Sequence, residues 1–387
     1  MKHFYQVCLF SFVMVLCATQ ANSTSTVSIN RPNQYMYPGE QMLVANGYPS
    51  LVRFIEAKKG NGNPLVVFIP GGYHLGRIAY GYPGCNVKDF LAYWLNENNY
   101  NFLSISYPLQ NSVYDNVYPN YTITDWGRQI TSIIKYIAEK HQLSNRVIII
   151  SWSMGGRVVN KVNQQLNKAN FVLDGYFSFS STPPIPGLLK TDEYKVELAD
   201  SGLADQSIFL PDFERMLNIQ NRLNHHVIIP NKVYKNQFVG NPPVGITGSG
   251  YIYKNGKLQR DISFIVKDSG TFLFKDYPLV SVIHDDSASD PEHALLDQSY
   301  WGMINSQVLY RNIILPSLQS GKVFSPAEWE YLRFIFYHIN DLLVRRIHGS
   351  HFFFVGEYGA RQTVILMEAL LLSRKSLMNQ LKHVTGQ

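Results

Sequence analysis

The sequence predicts an α/β fold built on a mostly parallel central sheet with helices on both faces. Three observations carry this. Short β-branched or apolar runs recur at residues 65–69, 102–107, 147–150, 173–179 and 278–283. Helix-patterned stretches lie between several of them. The run at 147–150 stops abruptly at Ser151-Trp152-Ser153-Met154-Gly155-Gly156, and a helix-compatible stretch, 157–162, follows at once. Strands covered on both faces read as continuous apolar runs, and strands alternating with helices imply right-handed crossovers between parallel neighbours.

Taken in order, residues 1–21 read as a secretory signal peptide. Lys2 and His3 form a short polar start, residues 7–17 an apolar run too short to span a bilayer, and Thr19-Gln20-Ala21 a small-residue cut site before Asn22. Its removal strands Cys85, which cannot form an internal disulfide, so the fold must rest on its core. Cys85 follows a Tyr/Pro/Gly-rich loop and reads as structural. No later stretch has about 18 uncharged apolar residues, so the expectation is an exported, soluble chain with one domain over 22–387.

Residues 22–48 read as an irregular lead-in with Pro32 and Pro38, and 51–57 as an alternating strand. The buried strand 65–69 ends in Pro70-Gly71-Gly72-Tyr73-His74. A helix is expected over 89–96. Thr124 and Asp125 can cap the next, whose Trp126, Ile130, Ile133, Ile134 and Ile137 form one apolar face. After 173–179 the alternation breaks, and 185–276 reads as a cap or lid inserted over the sheet. It holds one or two short helices within 207–223 and a hairpin turning on Asn255-Gly256. Ser325-Pro326-Ala327-Glu328 is a capping box, with Phe324 and Trp329 as a hydrophobic staple, and its helix is expected to run toward Arg345. The loop His348-Gly349-Ser350-His351, the run Phe352-Phe353-Phe354 and a last helix over 362–378 complete the chain.

Hydrophobic residues at 45% and aromatics at 13% suit a folded globule. The net charge of +6 is scattered, without a basic run, which gives no support for nucleic-acid binding and leaves room for peripheral contact with an anionic or lipid surface.

The chemistry centres on Ser153. A serine at the tip of a strand–turn–helix is lifted clear of the backbone if the residues two before and two after are small, and here these are Ser151 and Gly155. Such a hydroxyl needs a base, a carboxylate to orient it, and two N–H donors for the oxyanion. Met154 supplies one donor, and Gly72 or Tyr73 the other, from a loop whose glycines admit close backbone approach. If the order is Ser, acid, His, the base is late in the chain. His351, between a flexible Gly349-Ser350 and an anchoring aromatic run, is the choice. Asp285, Asp286 and Asp290 compete for the acid, with Asp286 narrowly favoured and Asp290 next, its Asp290-Pro291 pair suiting a turn.

On Pro70-Gly71-Gly72, Ser151-Trp152-Ser153-Met154-Gly155-Gly156 and Gly349-Ser350-His351-Phe352, the chain resembles an α/β-hydrolase. Two departures stand out: Ser151 replaces the usual glycine, and Asp285 stands where the acid loop usually has one. The resemblance implies an acyl-serine intermediate, no metal and no organic cofactor. A serine rather than aspartate nucleophile argues against the dehalogenase and epoxide-hydrolase branches. The expected function is a secreted serine hydrolase of carboxylic esters, acting on a small-molecule or lipid ester. A peptidase or thioesterase on the same triad, or a non-catalytic binding protein of this fold, are the alternatives.

Overall fold

The computed structural model describes residues 27–60, 63–189, 196–205 and 207–386. The signal peptide expected over 1–21 lies outside the described residues.

The chain enters through β1 (Ser28–Ile29), β2 (Glu40–Ala45), β3 (Tyr48–Ile55) and β4 (Leu65–Ile69), followed by helix α1 (Leu91–Glu97) and β5 (Asn101–Ile105). The lead-in is therefore not irregular. Residues 40–45 are mostly buried and pair antiparallel with β3. The Asn46-Gly47 turn that joins them takes positive φ at both residues (54° and 84°), the conformation of a tight hairpin.

Helix α2 (Ile123–Lys140) is capped by Thr122, two residues before the expected Thr124 cap. Its hydroxyl accepts from Asp125 N, and the Asp125 carboxylate reaches back to close a capping box. Trp126, Ile130, Ile133, Ile134 and Ile137 are all buried. Then come β6 (Arg146–Trp152), a tight 3₁₀ segment over Ser153–Val158, α3 (Val159–Lys168) and β7 (Val172–Phe179).

Between β7 and the next sheet strand the chain forms α4 (Leu210–Leu223), α5 (Asn231–Gln237), the hairpin β8 (Tyr251–Lys254) and β9 (Lys257–Arg260), and α6 (Ile262–Ser269). Asn255 and Gly256 turn the hairpin, again with φ of 52° and 74°. The sheet resumes with β10 (Val280–Asp285). It is followed by α7 (Pro291–Leu309), a π-helical turn over Tyr310–Ile314, α8 (Leu315–Gln319), α9 (Pro326–Tyr337), α10 (Ile339–Leu343), β11 (Val344–Ile347) and α11 (Glu357–Thr385). The Ser325/Glu328 capping box forms, but the helix breaks at Tyr337, and residues 344–347 return to the sheet rather than extending it.

Among the described residues the main sheet has nine strands in the order β1-β2-β3-β5-β4-β6-β7-β10-β11. Pairing is antiparallel through β3·β5 and parallel from β5·β4 onward. Val66, Phe68, Ile148 and Ile150 face one buried layer, and Val67, Ile69, Val147 and Ile149 the other, so the central strands are covered on both sides. The carboxyl ends of β4, β6 and β10 lead directly into 70–74, Ser153 and 286–290, which gathers these segments at one edge of the sheet.

Candidate active site

Ser153 sits at the tip of the β6 turn with φ of 54°, a left-handed conformation that costs a non-glycine residue energy and is held only by its surroundings. Those surroundings leave little room. A Cβ on Gly155 would meet Ile69 O at 2.9 Å, one on Gly156 would meet Thr182 O at 2.5 Å, and one on Gly71 would meet Ser153 Cβ at 2.6 Å. Thr182 N donates to Ser153 O at 3.0 Å, fixing the turn to the end of β7. Ser151 is tolerated in place of glycine because its buried hydroxyl turns sideways. It donates to Phe177 O at 3.3 Å and meets Ser181 Oγ at 3.4 Å.

His351 and Ser153 line the same cavity, of about 240 Å³. Three contacts hold the histidine. Its Nδ1 lies 2.6 Å from Asp290 Oδ2, its backbone carbonyl accepts from Trp152 Nε1 at 3.0 Å, and its ring packs 5.2 Å from the Trp152 indole. Phe352, Phe353 and Phe354 are fully buried behind it. Asp290 is thus the carboxylate on the histidine, and the preference for Asp286 does not hold. The Asp286 carboxylate turns to the exposed His348 ring (3.2 Å) and accepts from Gly349 N. Asp285 is buried on Ser180 Oγ (2.9 Å) and Ser287 N (3.0 Å). Asp290-Pro291 is also not a turn. It is the start of α7, with proline at the first helical position, where its missing N–H is harmless.

The two expected donor loops meet as well: a Cβ built on Gly72 would lie 3.4 Å from Met154 Sδ. Gly72 and Tyr73 both remain candidate donors. The Tyr107 hydroxyl sits beneath the loop and donates to Gly71 O at 2.8 Å. The Tyr73 ring forms a cavity wall with Phe209 (5.5 Å) and Phe213 (6.2 Å).

A strained serine turn after a central parallel strand, with a His–Asp pair on later loops of the same sheet edge, decides the architecture. The chain has the α/β-hydrolase fold. No protein-family model matches it, and no curated protein matches it in sequence. Among solved structures it is similar to MenH from S. aureus (15% identity, 84% of this chain and 98% of that chain, TM-score 0.45). It is similar to the hyperthermophilic esterase from the archaeon Pyrobaculum calidifontis (12%, 91% and 84%, 0.44) and to an arylesterase (13%, 86% and 83%, 0.41). At such identities strand order and the serine turn define the fold, and these likenesses add nothing about chemistry.

In this α/β-hydrolase fold the site carries residues that the sequence did not point to. Trp152, at the unspecified position between the two serines, anchors His351 from below. His74 is fully buried between the loop and α5. Its Nδ1 lies 2.6 Å from Gly72 O and its Nε2 2.8 Å from Tyr234 Oη, and burial holds it neutral, pushed down to about 3. Gln220 of α4 accepts from Ser350 N (3.0 Å) and donates to Val355 O (2.9 Å), bracketing the His351 loop. His293 and Asp297 of α7 form a second buried His–Asp pair (2.9 Å), with the His293 ring 5.0 Å from that of His351. None of these five stands out from sequence, because Trp152, His74 and Gln220 act through partners far away in the chain and the His293–Asp297 pair gains its meaning only beside His351.

Charge within this cluster is shared unevenly. Burial would raise the Asp290 carboxyl, but His293 and His351 beside it hold it well below the usual carboxylate range. Asp285 is pushed up by burial and by Asp290. Burial opposes charge on His293, yet Asp297 and Asp290 outweigh it and push it up to about 10. Burial raises Asp297 too, so the His293–Asp297 pair keeps its shared proton through neutral pH. Donor atoms of Asp290, His293 and His351 lie within 4.8 Å of one another, close enough for a shared cation on distance alone. Both Nδ1 atoms are already spent on carboxylates, however, and a protonated His293 has no lone pair to give. The cluster reads as an ion-pair network.

Proposed function

We propose that this protein is an exported serine hydrolase of carboxylic esters with apolar acyl groups. The observation that carries the reading is a strained, cavity-facing Ser153 sharing its cavity with a His351 whose Nδ1 is held by buried Asp290. In this mechanism Ser153 Oγ attacks the acyl carbon and its proton passes to His351 Nε2. Asp290 fixes the tautomer that leaves Nε2 free, and the Met154 amide with that of Gly72 or Tyr73 binds the oxyanion. His351 returns the proton to the leaving alcohol, then activates water to cleave the acyl-serine. Tyr73, Ile208, Phe209, Phe213 and Met216 wall the cavity, which favours an apolar or aromatic acyl chain over a polar one.

An ester series of increasing acyl length, assayed beside a peptide panel and a thioester, tests the bond and the chain. Turnover of short to medium or aryl esters, lost in Ser153→Ala, is the expected result. Turnover of peptides or thioesters alone would replace the ester reading, and inertness toward all three in a folded protein would leave a binding protein. Export rests on residues 1–21. A secreted chain whose amino terminus is Asn22 is expected, and retention of residues 1–21 on a cytoplasmic protein would remove that part of the proposal.

A further inference from the structure

Two histidine–carboxylate pairs stand side by side at the head of α7, and the reaction proposed above uses only one. His351 and Asp290 form the first. His293 and Asp297, one helical turn apart on α7, form the second, with His293 6% exposed and Asp297 fully buried. The two imidazoles pack at 5.0 Å with planes 34° apart, and both line the substrate cavity. We propose that His293, clamped by Asp297, is a positioning residue that holds Asp290 aligned on His351 as a carboxylate. This rests on the serine-hydrolase reading of the same site.

The argument is one of charge at close quarters. Asp290 is buried and lies against a second carboxyl, Asp285, at the end of β10. Burial favours a protonated, useless Asp290, whereas Asp285, itself pushed up, works against that protonation. A fixed cation within 4.8 Å reverses the balance, and attraction between unit charges at that range is large where water is excluded. His293 is also faced by His351 from the last loop and acted on by Asp285 at the end of β10, while Glu292 and Arg157 line the same cavity. Asp297 does two things: it keeps the His293 proton in place and fixes the ring through Nδ1. Its Oδ2 has no hydrogen-bond partner among the described residues. The pair is thus buried for its charge rather than for a saturated network.

The test uses the full mature chain with His293→Gln, Asp297→Asn and His293→Lys, read by kcat, KM and the pH profile of kcat/KM on an ester that the wild type turns over. His293→Gln is expected to lower kcat by about 10–100-fold with KM within about 3-fold. The acid limb of kcat/KM should move up by about one pH unit, since Asp290 then takes a proton at higher pH. Asp297→Asn should move the limb the same way, and His293→Lys, which keeps a cation, should restore part of the shift. If His293→Gln yields no folded protein, Asp297→Asn reads the same limb. An unmoved limb in folded His293→Gln or Asp297→Asn, whatever the loss of melting temperature, would overturn the proposal and leave packing as the pair's role. Failure of the wild type itself to react with a serine-directed probe would instead sink the hydrolase reading.

Discussion

The two neighbouring aspartates after β10 illustrate how much one carboxylate's direction decides. Asp286 spends its oxygens on exposed His348 and on Gly349 N, while Asp290 places Oδ2 at 2.6 Å from His351 Nδ1. Replacing Asp290 by Asn keeps the shape but presents an amide to the ring, so the wrong tautomer is stabilised. A fall in kcat on the order of 10⁴-fold is expected, whereas Asp286→Asn should stay within about 3-fold of wild type. Steady-state rates on one ester separate the two, and the reverse ranking would return the acid role to Asp286. Sequence could order the serine, acid and histidine, because strand–turn–helix and loop signals are local. It could not choose among Asp285, Asp286 and Asp290, because that choice depends on how far β10 runs and where α7 begins. Asp290 was read as a turn residue, although Asp-Pro is also what starts a helix.

At the level of elements, residues 210–240 are wired to both the His351 loop and the 70–74 loop. From α4, Gln220 brackets the His351 loop, and Met216 O accepts from Ser350 Oγ at 2.8 Å. From α5, Tyr234 reaches His74, and just beyond that helix Phe238 O accepts from Leu75 N and Gly240 N donates to Tyr73 O. The segment therefore acts as a brace for the site. Gln220→Ala would leave a buried amide and carbonyl without partners, a loss of about 2–4 kcal/mol. Chemical denaturation should show that loss, and kcat should fall about tenfold. A variant with full kcat would show that the brace is dispensable. The insertion was readable only as a break in alternation, since its helices pack through scattered aromatics. The strands β2 and β11 were missed for a different reason: EQMLVA and VRRI are short and charged, and they become strands through pairing. Asn46-Gly47 was the available signal for the first, and nothing local marks the second.

For the molecule as a whole, one buried ion pair joins its early and inserted parts. Arg77, 1% exposed, bonds Glu40 of β2 through Nε and Nη2 at 2.8 Å, Tyr35 O at 2.7 Å and Gln237 O of α5 at 2.8 Å. Arg77→Met would strand the Glu40 carboxylate, and a loss of about 3–5 kcal/mol in stability is expected by denaturant titration. A loss under about 1 kcal/mol would show that water reaches the carboxylate. Stability should also fall on the alkaline side. His293 is pushed up to about 10, so between its ordinary value of 6.5 and about 10 the folded chain holds a proton that the unfolded chain has released. That contribution is complete below 6.5 and lost as pH rises through 10. The melting temperature should therefore drop between pH 7 and 10, and less steeply in His293→Gln. Equal slopes would contradict a charged His293.

The central claim is that Ser153 is an activated nucleophile. Reaction of the mature protein with a fluorophosphonate, followed by mass spectrometry of its peptides, tests this most directly. The account predicts one stoichiometric adduct, on Ser153, that is absent in Ser153→Ala and strongly slowed in His351→Ala. No adduct on folded protein, or an adduct that persists in Ser153→Ala, would contradict it.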